Sequence, residues 1–398
     1  MANSLLTVDQ ITRRALLILH QKMTFISSIN RQYDDSFAND GAKIGDTLRI
    51  RLPNQYTVRT GAAINVQDTT EAKIDLTVAT QRGVDTSFST KDLTMDMDDF
   101  AHRILDPAMS VLAAVIEADA LQSMTLDVFN MVDSDGAAID FLDMLNGRKI
   151  LNENLAPQDN SRTALLSNAH SAILVDALKG LFQDSSSIAE QYTDGVMGRT
   201  AGFTFAESSH VADHTTGTSA KGDTTYNIDG TTEEGSSITV DGGTSTFLKG
   251  DIITLAGVNA VHPETKVSTG VLQQFVITAD SGGSATSLAV SPELIPSGAK
   301  QNVSGFPTDN GVVAKIGAGN GELLNSTLVY HKDAFTFATA DLIMPDGVDF
   351  ASRQVFDGIS IRIVRQYDIN NDTIPARIDV LSGFKTIRPQ LACRIHAT

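Results

Sequence analysis

The sequence predicts an α+β fold with an all-β domain set inside it, and three observations carry that expectation. Residues 99–132 repeat apolar side chains three or four apart, the spacing of one long helical face. Residues 43–52 and 71–80 each alternate apolar and polar side chains, as the two strands of a ribbon do. From about 213 to 321 the chain becomes rich in Gly, Ser, Thr and Asp with short β-prone runs, while mixed character returns on both flanks. That is the signature of an inserted small barrel or sandwich.

Composition bounds the function. With 398 residues, 41% of them hydrophobic, the chain can bury large cores and has the length of about two or three domains. A net charge of -18 keeps it soluble and argues against sequence-specific binding of nucleic acid. The one cysteine, Cys393, excludes an internal disulfide framework, fits a reducing compartment and reads as a small core residue in an apolar run. The N-terminal stretch carries arginines within its apolar run and does not read as a signal peptide. No uninterrupted apolar run has the length of a membrane span.

In chain order, Thr7 to Gln10 resembles a capping box, and Ile11, Ala15, Ile18 and Leu19 form the stripe of a short amphipathic helix. It should lie either on this chain's core or on a neighbouring subunit. In the ribbon, Leu48, Ile50 and Leu52 face Ile74, Leu76 and Val78, while Arg49, Arg51, Lys73 and Asp75 lie on the wet side. The connection 53–70 is far longer than a hairpin loop, so the ribbon has a long, poorly supported tip. A two-stranded ribbon is marginal in water, which suggests that a neighbouring subunit completes its burial. The long helix places Leu105, Met109, Leu112, Ile116, Ala120, Met124, Val128 and Met131 on one face, with Pro107 tolerable in a first turn. Helices at 139–152 and 168–181 flank a strand at 163–166. Within the β module, strands are expected at 237–240, 251–255, 274–278 and 287–290. Runs at 359–364 and 376–381 form a closing antiparallel pair.

Candidate chemistry is sparse. VVAKIGAGNG, residues 312–321, has Gly317, Gly319 and Gly321, but Glu322 stands where a dinucleotide fingerprint needs glycine, so a glycine-rich junction is the better reading. His210 and His214 lack the glutamate of a zinc hydrolase helix and read as a solvated loop. Asp92, Asp96, Asp98 and Asp99 lack the glycine and terminal glutamate of a calcium loop, and acids are favoured at a helix start anyway. No nucleophile elbow occurs. Catalytic, cofactor and metal sites are therefore all expected to be absent.

One resemblance gathers these features. The order of amphipathic arm, KIGDTLRIRLP ribbon, GVDTSFSTKDLT lead-in, ILDPAMSVLAAVIEAD helix, QYTDGVMGRTAGFTF turn and KGDIITLAGV within the β module resembles the major capsid proteins of tailed bacteriophages. More narrowly, it is similar to the P22-type coat proteins. The resemblance implies an N-terminal arm at 1–40, an E-loop at 41–82, and a peripheral domain at 83–163 with its spine helix at 99–132. It further implies an axial domain at 164–213 and 321–350, an inserted β-barrel at 214–320, and C-terminal strands at 351–398. Function would then lie in interfaces: hexamers and pentamers of an icosahedral shell around double-stranded DNA, assembled in the host bacterial cytoplasm with scaffolding, portal and cement proteins, then matured from a procapsid. Arg49, Arg51 and Arg59 become candidates for charge pairing with acidic neighbouring subunits. An encapsulin-like shell around protein cargo is the alternative, and a glycan-binding adhesin, suggested by the β module, stands behind it.

Overall fold

The computed structural model describes residues 8–31, 47–64, 66–67, 71–89, 106–178, 198–211, 213–317, 319–356, 358–371 and 373–397. Asp92, Asp96, Asp98, Asp99 and Leu105 lie outside the described residues, as do most of the lead-in before the long helix and part of the turn after residue 190. The chain forms two compact units, each assembled from separate stretches of sequence.

The first unit is built on an antiparallel sheet in which strand Thr373–Thr386 is the spine. Phe335–Ala340 and Ile359–Arg365 pair successively with one side of it, Thr80–Ser89 pairs along the other, and Phe350–Phe356 extends the sheet beyond Ile359–Arg365. Ile361, Ile363, Ile378 and Val380 are buried. Helix α1 (Val8–Lys22) packs on strands Phe350–Phe356 and Ile359–Arg365 with Thr12, Ala15, Leu16 and Leu19, the one-face spacing of an amphipathic helix. Helix α2 (Thr24–Ser28) buries Phe25 edge-on against Phe335, 5.7 Å between ring centroids. Asn30 then exchanges backbone hydrogen bonds with Phe335 and Phe337, each 3.3 Å. The described part of the arm is thus fastened to its own chain, which resolves the open choice of surface.

Helix α3 (Asp106–Leu126) is the long helix, and it is shorter than the pattern suggests. Pro107 sits in its first turn, where a missing N–H costs nothing. Met109, Leu112, Ile116, Ala120 and Met124 are buried as expected. Val128 and Met131 are buried too, but beyond the helix end, because the chain goes on to a strand at Met131–Asp133. Asp127 and Val128 close the last turn with tight bonds to the carbonyls of Met124 and Thr125. In length and composition α3 is apolar enough to cross a membrane, although Glu117 and Asp119 interrupt its apolar run; half of its most apolar stretch is buried in the protein. Within the first unit, Glu117 Oε1 accepts from Phe25 N at 3.2 Å, and Asp119 pairs with Arg82 of the strand Thr80–Ser89.

The second unit has a six-stranded mixed sheet in the order Met131–Asp133, Ala392–His396, Ser326–His331, Arg162–Leu166, Phe203–Glu207, Arg199–Thr200. Helix α4 (Phe141–Glu153) starts with a capping box between Asp140 and Asp143 and packs on Ala392–His396. A Cβ at its Gly147 would lie 3.1 Å from Val329 and 3.2 Å from Ile395, so glycine sets the helix-to-sheet distance. Helix α5 (Asn168–Leu178) follows the buried strand Arg162–Leu166. The β module of this unit is a barrel: strands Val313–Ile316, Ile252–Val261, Ser268–Ile277, Ser287–Leu294, Gly235–Asp241 and Asn227–Ile228 pair in that order. Its two ends meet where Ile228 N donates to Gly311 O at 2.8 Å and Val313 N donates to Tyr226 O at 3.0 Å. Closure removes the open edges. Phe247, Ile253, Leu255, Phe275, Ile277 and Val290 are among the side chains that fill it.

Candidate assembly surface

The ribbon is formed by Thr47–Arg51 and Lys73–Thr77, paired Arg49 with Asp75 and Arg51 with Lys73. Alternation puts Ile50, Leu76 and Val78 inward, all buried, and the charged residues outward. Arg49 Nε lies 3.9 Å from Asp75 Oδ1, with both side chains largely exposed, so the pair leaves the guanidinium open to a second carboxylate. Arg59 folds back on Gly61 O, and Gly61 holds a positive φ of 99° at the turn of the tip. Arg49 and Arg51 lie on the ribbon strands and Arg59 in the connection between them; all three are exposed.

The long connection is better braced than its length suggests. Gln67 Oε1 accepts from Thr57 N at 2.8 Å, while its Nε2 donates to Thr57 O at 2.6 Å, so one side-chain amide replaces a strand pairing across the loop. Leu52 N donates to Ala72 O at 2.9 Å at the base. What the brace presents is apolar: Val58 is 97% exposed, Ile64 and Val66 83% each, with Tyr56 beside them. Large apolar side chains this exposed make the connection a candidate contact surface.

The sequence lures resolve into structure. Gly317 and Gly319 belong to the barrel's exit: a Cβ on Gly319 would come within 2.7 Å of the Ala220 backbone, and one on Gly317 within 3.1 Å of Met131, so these glycines serve close packing. His214 is no solvated loop residue. It lies in a two-residue strand, His214–Thr215, paired with Leu323–Leu324, so the chain's entry to the barrel and its exit lie side by side. Its Nε2 is 3.0 Å from Asp251 Oδ1. Asp251 is fully buried and also accepts from Gly217 N and Leu248 N, 3.0 Å each, and from Lys315 Nζ at 3.3 Å. Lys315 donates further to Gly217 O and Ser219 O. Burial alone would raise the Asp251 carboxyl, but His214, the Lys315 charge and the two N–H groups outweigh it and hold the group below its ordinary value of 3.8. The Asp251 carboxylate and the Lys315 ammonium are each held by several partners from within the knot, which pins the neck of the barrel. Nothing in the sequence singled it out, since Asp251, His214 and Lys315 are far apart in the chain.

Cys393 is buried, and burial pushes its thiol up to about 12. Among the described residues no group of three or more His, Cys, Asp or Glu side chains is arranged to hold a metal.

The family described as P22 coat protein, gene protein 5, matches residues 1–394. The chain belongs to the P22 coat protein family. It is a phage major capsid protein, and its place is the virion capsid. Similar solved structures include a Mycobacterium phage Che8 chain, with a TM-score of 0.48 at 12% identity over 94% of this chain and 90% of that one. The capsid of Ralstonia phage GP4 gives 0.47 at 9% identity, over 93% and 87%. A virus-like particle from Pyrococcus furiosus gives 0.39 at 8% identity, over 97% of both chains. No curated protein matches the coat protein in sequence.

Proposed function

We propose that this coat protein builds the hexamers and pentamers of an icosahedral shell that encloses double-stranded DNA, with no catalytic role of its own. The observation that carries this reading is the ribbon: a braced arm whose tip exposes Val58, Ile64 and Val66 to water has a use only where a neighbouring subunit covers it. In this reading residues 41–82 are the E-loop, 99–132 span the spine of the peripheral domain, and 164–213 with 321–350 form the axial domain. The barrel at 214–320 is an insertion, and Arg49, Arg51 and Arg59 reach carboxylates on the next subunit. Scaffolding, portal and cement proteins are the partners of a shell that assembles in the host bacterial cytoplasm and matures from a procapsid. The acidic balance of the chain suits a wall that does not grip its DNA.

Electron microscopy of the protein expressed alone and with its neighbouring gene products tests the reading. Closed particles or free capsomers are expected, and native particles should contain nucleic acid. Dispersed monomers under every condition would overturn the shell, and particles filled with a host enzyme would overturn the genome.

A further inference from the structure

Helix α5 carries a histidine where a cation is unwelcome. Ser167 Oγ accepts from His170 N at 3.2 Å, so His170 stands in the first turn of α5, at the positive end of the helix dipole. It is 1% exposed, and its ring reaches two places on the mixed sheet. Nδ1 lies 2.8 Å from Thr327 Oγ1, and Nε2 lies 3.3 Å from the carbonyl oxygen of Ala397. A carbonyl can only accept, so in the neutral ring Nε2 carries the proton and Nδ1 accepts from the Thr327 hydroxyl. The ring thus ties strand Ser326–His331 to the residue that follows its antiparallel neighbour, Ala392–His396. His396 marks the same joint, with Nδ1 3.1 Å from Asn325 O.

A second proton would break this arrangement. It turns Nδ1 from acceptor to donor, so the fully buried Thr327 hydroxyl must give up its bond and turn. Little nearby would repay the charge. Burial, reinforced by His396, holds the imidazole below its ordinary value of 6.5 against the pull of Ala397 O and Asp213. Glu207, on the adjoining strand, accepts from Ser171 Oγ at 3.0 Å, and Asp176 lies further along α5 itself. Of the charged groups on the two strands, Arg394 donates to Gly250 O, and His331 pairs with Asp159. Arg162, on the strand before α5, donates to Ala156 O and Pro157 O. Among the described residues the histidine–carboxylate pairs belong to His214 and His331. We propose that His170 is an acid-released fastening: neutral, it holds Thr327 and Ala397 together, and protonated, it lets Ala392–His396 loosen from Ser326–His331. The fastening belongs to the subunit and does not depend on the shell reading.

The unfolded chain takes up the proton near 6.5 and the folded chain below it, so the cost of acid begins as pH falls through 6.5 and is complete below the folded value. Hydrogen exchange of the full chain, read by mass spectrometry, tests the joint. Corrected for the intrinsic change of amide exchange with pH, exchange in 326–331 and 392–397 should rise by about threefold or more from pH 7 to pH 5, while the barrel strand Ile252–Val261 holds. His170→Gln keeps a donor and an acceptor without a titrating charge and should show no such rise, whereas His396→Gln should retain it. A wild type unchanged down to pH 5, a rise shared equally by the barrel strand, a rise that persists in His170→Gln or one lost in His396→Gln would each overturn the proposal. Deuterium uptake at the imidazole C2 of the wild-type chain reads the ring without any substitution, and so covers a His170→Gln chain that does not fold. A His170 midpoint below 6.5 is expected, and a midpoint at or above 6.5 would overturn the fastening.

Discussion

A single carboxylate shows how much this protein invests in holding its barrel. Asp251 is fully buried with four donors around it, and Lys315 beside it spends its protons on two carbonyls and that carboxylate. Removing one partner of such a pair leaves the other charge stranded, so Asp251→Asn should destabilise the protein by about 3–5 kcal/mol at neutral pH. The sign of its pH dependence follows from the direction of the shift. A carboxyl held below 3.8 in the folded chain contributes stability above that value and loses it as pH falls through the depressed folded value. Urea midpoints of wild type and Asp251→Asn should therefore differ fully at pH 7 and converge only in strong acid. A gap unchanged down to pH 2 would mean that the charge is not what the knot uses. Arg162 is solved differently: its buried guanidinium donates to Ala156 O, Pro157 O and Asn152 Oδ1, satisfying the carbonyl groups left after α4.

Elements are joined by a few side chains that imitate backbone. Gln274 accepts from Met131 N at 2.7 Å and donates to Met131 O at 3.0 Å, so a barrel residue completes the edge of the strand Met131–Asp133. Gln274→Leu should cost about 1–3 kcal/mol for each backbone group left unpaired, measured by chemical denaturation, with Gln274→Glu intermediate because it keeps the acceptor alone. Helix α3 gives the contrasting case of two faces. Ile116 is 2% exposed, and Ile116→Asp should prevent folding at a cost of more than about 4 kcal/mol. A soluble, assembling Ile116→Asp subunit would show that this face is not the buried one. The helix itself was legible because its spacing is local; its end was not. Val128 and Met131 continue the pattern, yet Met131 is claimed by a strand pairing with Arg394 and by Gln274, partners more than a hundred residues away. The ribbon divides in the same way. Alternation revealed the two strands, whereas their register, with Arg49 opposite Asp75, and the brace from Gln67 to Thr57 depend on a loop path that no periodicity encodes.

At the scale of the molecule, the barrel and the mixed sheet share one folding unit. Arg394 of the last strand donates to Gly250 O at 2.8 Å, and Phe129, Met131, Ile252, Val276 and Leu324 form a common apolar cluster. Deleting residues 216–317 should therefore prevent the rest of that unit from folding as well as changing assembly. Loss of soluble, structured subunit by circular dichroism would agree; a folded deletion variant that merely fails to assemble would show the barrel to be an accessory. The amino-acid sequence by itself determined the α+β class, the ribbon, the apolar helix and the family, because each rests on local periodicity, composition or motif order. Only the tertiary structure decided that the arm lies on its own sheet, that His214 serves Asp251, and that the module is a closed barrel pinned at its neck. Those contacts join residues distant in sequence through hydrogen-bond geometry and packing, which a linear pattern does not carry.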